Sequence, residues 1–236
     1  MPARPHRLRE PAARAAPLAL VGASVNATVY EALKAQITSG RLGPGVKLAH
    51  QWLAETLQVS RTPVREALER LYQEGFVTRL PRRGFYVAEI DHEEARELYE
   101  LREALEVHAL RRSMALGLKP ADLRRLAGHN RLYKAHLTDH MTRERMLVDR
   151  DFHLALAALA GNRALLRALA AVFERLILKI RTEGYRTVRG VEALAEHTRL
   201  MGALREGDSD GAARLLAEHI QGARRRLAGH LHELSA

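Results

Sequence analysis

Val59-Ser60-Arg61-Thr62-Pro63-Val64-Arg65-Glu66-Ala67-Leu68 is the stretch on which the fold turns. Val64, Ala67, Leu68 and then Leu71 recur at the three- and four-residue spacing of a helix with one buried face. Arg61, Arg65, Glu69 and Tyr72 fall on its other faces. Thr62 followed by Pro63 reads as the helix start, because a hydroxyl can cap a free amide and proline in the first helical position forfeits no internal hydrogen bond. Just upstream, the apolar stripe Leu53, Ala54, Leu57 stops at the tight connection Gln58-Val59-Ser60. Two short helices joined so tightly, the second opening on cations, suit insertion into a DNA major groove. There an arginine can donate two hydrogen bonds to guanine, while Thr and Ser hydroxyls reach phosphates or bases.

The same reading extends both ways. Val29, Ala32, Leu33 and Ile37 predict an earlier helix that Ser39-Gly40 ends, with a turn cluster at 41–45. Beyond Gly75, Phe76-Val77-Thr78 and Phe85-Tyr86-Val87 flank Leu80-Pro81-Arg82-Arg83-Gly84 and predict a hairpin with a basic tip. Such a tip meets the phosphate backbone or the minor groove. Residues 25–88 therefore read as three helices and a β-hairpin, a winged helix-turn-helix. Residues 1–24 carry Arg4, Arg7, Arg9 and Arg14, and the apolar run after Pro17 is short, so we expect a disordered basic arm and not a signal peptide.

Composition narrows the partners. The net charge is +10, and residues 1–90 hold 13 basic against 7 acidic side chains, so the front of the chain is the more positive part and favours a polyanion. No apolar run is long enough to span a bilayer. The chain has no cysteine, which excludes disulfides and thiolate metal sites and suits the cytoplasm.

From Glu93 the pattern is helical. Six amphipathic segments, 93–117, 120–139, 142–160, 162–183, 190–206 and 208–233, predict an all-α bundle over 93–233, with Asn162 as an N-cap. Polar residues interrupt the apolar stripes. Asp149 and His153 stack one turn apart between Met146 and Leu156; His197 sits among Leu194, Leu200 and Met201; His219 sits among Leu215, Leu216 and Ala223. Three inward imidazoles and a carboxylate are costly to bury without partners, and one divalent cation satisfies all four. His136 and His140 are a similarly spaced pair, but later helices offer that face no matching ligands, so it reads as surface. His108 and His230 can also lie inward, and their role stays open.

The run from Val59 to Leu68, with Leu71, Glu74-Gly75-Phe76-Val77 and Arg83-Gly84, resembles the GntR family of bacterial regulators. That resemblance implies that Arg61, Thr62 and Arg65 read an operator, with Arg82, Arg83 and Gly84 in the wing. One departure is His50-Gln51-Trp52, where relatives often carry a charged pair before Leu53. Leu101-Arg102-Glu103-Ala104-Leu105-Glu106, Asp149 with Phe152-His153, Gly161-Asn162, Glu196-His197 and Glu218-His219-Ile220 resemble the FCD ligand-binding domain of the FadR subfamily. The resemblance makes Asp149, His153, His197 and His219 the metal ligands and places Arg102 at an effector pocket. Six helices suggest the VanR-like branch.

These readings imply a cytoplasmic, non-enzymatic transcription regulator, a repressor, that binds double-stranded operator DNA. Its metal is a divalent transition ion, zinc first, with nickel, cobalt or manganese also suited to the ligands. Four protein ligands leave room on such an ion for a small carboxylate effector. One recognition helix reads too few base pairs for genomic specificity, so a homodimer on a near-palindrome is expected. Two rivals remain. One is a regulator whose metal is purely structural. The other is a metal-dependent hydrolase, which the absence of a His-Glu-x-x-His motif and of a general base near the cluster disfavours, since Glu196 should point to another side of its helix than His197.

Overall fold

Leu33, Leu53, Val64, Leu68 and Leu71, spaced to share inward faces along three helices, meet at 1% exposure or less and form the first core. We describe the chain from a computed structural model, which describes residues 25–180, 182, 185 and 189–235; the expected basic arm lies outside them. The helices are α1 (Val25–Thr38), α2 (His50–Leu57) and α3 (Arg61–Gln73), and the strands β1 (Lys47–Leu48), β2 (Val77–Leu80) and β3 (Gly84–Val87). The sheet order is β1-β3-β2, antiparallel throughout, with Leu48 opposite Phe85 and Val77 opposite Val87. β1 was not legible in the sequence, because two residues show no alternation.

The start of α3 differs from expectation. Ser60 occupies the N-cap without a side-chain bond, the helix begins at Arg61, and Thr62 does not cap it. Pro63 is therefore the third helical residue, where its missing donor is still harmless, because the first turn's amides have no internal partner. At the wing tip the Arg83 amide donates to the Leu80 carbonyl at 3.0 Å. Arg82 and Gly84 take the left-handed backbone with φ of 61° and 94°, a conformation that is easy for glycine and costs an arginine.

The described residues divide into two compact units, the first comprising residues 25–90 and 178–180, the second residues 91–177 and the described residues from 182 on. Among the described residues the second unit holds α4 (His92–Leu116), α5 (Pro120–Ala135), α6 (Arg143–Ala158), α7 (Arg163–Lys179) up to Ile177, α8 (Arg189–Glu206) and α9 (Ser209–Ser235). Side chains set several starts. Asp91 accepts from the Glu94 amide, Thr142 from the Arg145 amide, and Asn162 from the Ala164 and Leu165 amides, as its N-cap reading required. α5 ends at Ala135, four residues short of the expected segment, and the Thr138 hydroxyl bonds the His140 carbonyl in the connection that follows. His136 and His140 thus do not stack on one helix. α9 packs on α4 and α8, and α6 on α4 and α5. Ala109, Ala157, Ala160, Leu165, Leu169 and Phe173 form an apolar cluster within this bundle.

Candidate metal centre and nucleic-acid interface

α6 carries Asp149 and His153 on one face, α8 brings His197 and α9 brings His219. One ligand atom from each of the four lies within 4.8 Å of all the others. The imidazoles are buried and Asp149 is half-buried. One Asp149 carboxylate oxygen is 3.8 Å from His153 Nε2 and the other is 3.6 Å from His197 Nε2. Phe152 stacks on the His197 ring at 4.2 Å, and the Tyr133 ring meets it edge-on at 5.3 Å.

The donor chemistry fits a cation. His153 Nδ1 lies 2.5 Å from the Glu106 carboxylate, and His219 Nδ1 lies 2.7 Å from that of Glu196. An ionised carboxylate only accepts, so each imidazole donates from Nδ1 and keeps its lone pair on Nε2. These two Nε2 atoms face each other at 3.1 Å. Two lone pairs at that distance repel unless a proton or a metal lies between them. Carboxylates that fix the outer nitrogen of an imidazole are the usual second layer of a metal site. Neither ring nitrogen of His197 has a hydrogen-bond partner, although the ring is buried.

Electrostatics favour the neutral form of two of the four, His197 and His219. Burial, then the neighbouring His219 and His153, hold His197 well below its ordinary range, so it stays neutral. Burial also lowers His219 to about 4, against the pull of Glu196. Glu106 is brought to about 2: burial opposes its charge, but His153 and Arg102 more than offset that. Glu196 likewise sits at about 2, with burial opposing and bonds from His219 and Arg189 prevailing.

Arg102, expected at an effector pocket, is 2% exposed. Its Nε donates to Glu106 Oε1 at 2.5 Å, its guanidinium lies 4.5 Å from the Phe173 ring centre, and one Nη is 4.0 Å from Asp149. That Nη2 has no hydrogen-bond partner.

In the first unit, Arg61, Thr62 and Arg65 are exposed along the start of α3, and Arg82 and Arg83 are exposed on the turn before Gly84. Arg61 reaches the Gln51 side chain at 3.4 Å. His50, part of the departure before Leu53, packs edge-on against Phe85 at 5.5 Å, so it props the wing strand.

Two family profiles cover these same regions: "Bacterial regulatory proteins, gntR family" matches residues 26–87, and "FCD domain" matches residues 97–222, more than half of the chain. The chain belongs to the GntR family. An HTH-type transcriptional regulator from an unstable DNA locus of Streptomyces ambofaciens is 30% identical over 193 residues, covering 82% of this regulator and 80% of the relative. The HTH-type transcriptional repressor RspR of Escherichia coli is 25% identical over 201 residues, covering 84% and 86%. The solved structure of Escherichia coli McbR/YncC superposes with a TM-score of 0.63 at 29% identity, covering 89% of the regulator and 99% of that chain. The regulator is thus a GntR-family transcription regulator with a DNA-binding head and an FCD domain. No described helix is long and apolar enough to cross a membrane.

The regulator's centre also holds residues that sequence reasoning missed or misplaced. Glu196 was expected to point away from the cluster, yet it bonds His219. Adjacent helical residues lie about 100° apart, but a glutamate is long enough to swing back toward α9. It serves Arg189, at 2.5 Å, as well as His219, so both of these neighbours hold its carboxylate in place. Glu106 follows Arg102 by one turn on the buried stripe Ala95, Leu98, Arg102, Glu106, Ala109, a spacing that could have revealed it. Arg189 gave no such signal, because it opens its helix. A cavity of about 840 Å³ lies along α8 and α9, lined by Arg189, Glu196, Gly222, Arg226 and His230 among others, and reaches this Glu196–Arg189 pair. His230 lies inward against Tyr185, whereas His108 is exposed.

Proposed function

We propose that the regulator is a cytoplasmic homodimeric repressor whose grip on a near-palindromic operator is released by a small organic acid bound at a metal site in the helical domain. The opposed Nε2 atoms of His153 and His219 at 3.1 Å carry this reading, because a divalent cation removes their repulsion. Asp149, His153, His197 and His219 would hold the ion, and the three-nitrogen, one-oxygen set suits zinc, with nickel, cobalt and manganese as alternatives. Once bound, the ion supplies a fixed positive charge that attracts a carboxylate. Glu106 and Glu196 fix the tautomers of two imidazoles, and Phe152 and Tyr133 pack the third. Arg102, with its Nη2 unpartnered beside Asp149, supplies a directed donor for the acid.

In the head, Arg61, Thr62 and Arg65 read base edges in the major groove, while Arg82 and Arg83 grip phosphate beside the turn made by Gly84. Repression is favoured by the likeness to RspR, a transcriptional repressor. An acid changes operator affinity only through unequal affinity for two arrangements of the dimer. The test is the metal content of the parent and of His153→Ala and His197→Ala, combined with operator binding by fluorescence anisotropy across a carboxylate panel. Stoichiometric metal in the parent, its loss in both variants and acid-dependent DNA release support the proposal.

A second reading, a structural ion with no effector, is favoured by one observation. The ligands tie α6, α8 and α9 together at full burial of His153 and His197. Operator affinity that is independent of every acid at constant metal occupancy would establish it.

A further inference from the structure

Arg145 is the largest fully buried side chain among the described residues at 1% exposure, and the metal-ligand reading does not use it. Its guanidinium donates to the Thr138 carbonyl at 3.1 Å and touches the Met141 sulfur at 3.3 Å, and its Nε has no partner. Among the described residues no carboxylate lies within ion-pair distance of it, although Arg102 has Glu106 and Arg189 has Glu196. A buried cation left without an anion is strongly unfavourable, so a fold retains one where an anion arrives from outside. Gly190 makes room for the guanidinium itself, since a Cβ there would fall 2.7 Å from Arg145 Nη1.

The position is close to the metal centre. Arg145 precedes Asp149 by one turn of α6, about 6 Å along the axis, with His153 one turn further on. Tyr133, whose ring edge meets His197, feels both groups: burial and then Asp149 push its hydroxyl above the ordinary range, while Arg145 draws it back. Charge counting gives the same direction independently. Among the described residues, Arg102, Arg145 and Arg189 are equal in number to Glu106, Asp149 and Glu196, so with neutral imidazoles these six groups balance. A divalent ion added to them leaves two positive charges in excess.

We propose that the regulator's ligand is a short dicarboxylate, with one carboxylate drawn to the metal-ligand side beside Arg102 and the second held by the fork of Arg145. This rests on the carboxylate-at-metal reading and specifies the class of acid. A planar guanidinium fork matches a carboxylate in two parallel hydrogen bonds, which a monoacid of equal length cannot supply.

Titration calorimetry of succinate against butyrate, on the metal-loaded and the metal-free regulator, tests it. The parent is expected to prefer succinate by at least about tenfold, the worth of one charge-assisted hydrogen bond. Arg145→Met reduces that preference to near unity while butyrate binding persists. Arg145→Lys, which keeps the charge and loses the fork, falls between. In metal-free protein the preference shrinks, and what remains is still lost in Arg145→Met. Because the unpaired cation is removed, the melting temperature of ligand-free Arg145→Met is unchanged or raised, whereas a structural role for Arg145 predicts a fall. Equal affinity of the parent for both acids, or an undiminished preference in Arg145→Met, overturns the proposal and leaves the carboxylate reading intact. Binding of neither acid to the metal-loaded parent overturns the carboxylate reading and this inference with it.

Discussion

The head packs Leu33, Leu53, Val64, Leu68 and Leu71 against one another at 1% exposure or less, while the residues buried as deeply at the middle of the helical unit include Arg145, His153 and His197. The first arrangement is held by area removed from water and by close packing, which any well-filled apolar core supplies. The second holds charged and polar groups out of water, and many of its members depend on one another. Arg102 needs Glu106, Glu106 orients His153, and His153 faces His219. A core of leucines tolerates exchange of shape, whereas a polar core is specific because removing one member strands the rest. The head keeps its charged chemistry outside instead, as in the exposed Lys34–Glu74 pair.

Substitutions can break this contrast, and the largest effects belong to the two cores. Leu68→Ala should cost about 2–5 kcal/mol by leaving a cavity. In a thermal melt it should lower only the transition of the head, with metal content unchanged. Glu106→Ala should cost about 3–5 kcal/mol in the helical unit by stranding Arg102. It should also weaken metal binding about 10–100-fold, because His153 loses its orienting carboxylate. Equal metal affinity in parent and variant would disprove the coupling of this polar core.

Chelation sharpens the comparison without a mutation. An ion present at 100 times its dissociation constant stabilises the state it binds by about 2.7 kcal/mol. Removing it should lower the melting transition of the helical unit and leave that of the head in place. At the DNA face, Arg65→Ala should weaken operator binding by about 1–3 kcal/mol and relax specificity at one base pair. Arg82→Ala should weaken all sequences alike and reduce the salt slope by about 1. Similar losses on specific and random DNA for Arg65→Ala would move it from base reading to phosphate contact.

The smallest effect is expected at Glu74. Bonds from Lys34 and Tyr30 lower its carboxyl from 4.5 to about 2. The folded form therefore holds the charged state more tightly than the unfolded one. That stability is fully present above pH 4.5 and is lost as the pH falls through about 2. Solvent screening limits it to under about 1 kcal/mol. Glu74→Gln should flatten the acid limb of the head's stability curve between those two values and leave neutral pH almost unchanged.

Sequence alone determined much of this protein. The helical spacing of Val64, Ala67, Leu68 and Leu71, the cations on the open face of the same helix, and the imidazoles inside apolar stripes are all local patterns. Local patterns survive without coordinates because helix geometry dictates which residues share a face. It placed Asp149 and His153 together for that reason, and it marked His197 and His219 as inward. It misread the first turn of α3, where Ser60 rather than Thr62 takes the cap, because cap position depends on how the preceding connection bends. Tertiary structure alone decided which carboxylate serves which imidazole. Glu106 lies 47 residues from His153, and Glu196 lies 23 from His219. No periodicity links them; only the packing of α4 on α6 and of α8 on α9 brings each pair within a hydrogen bond.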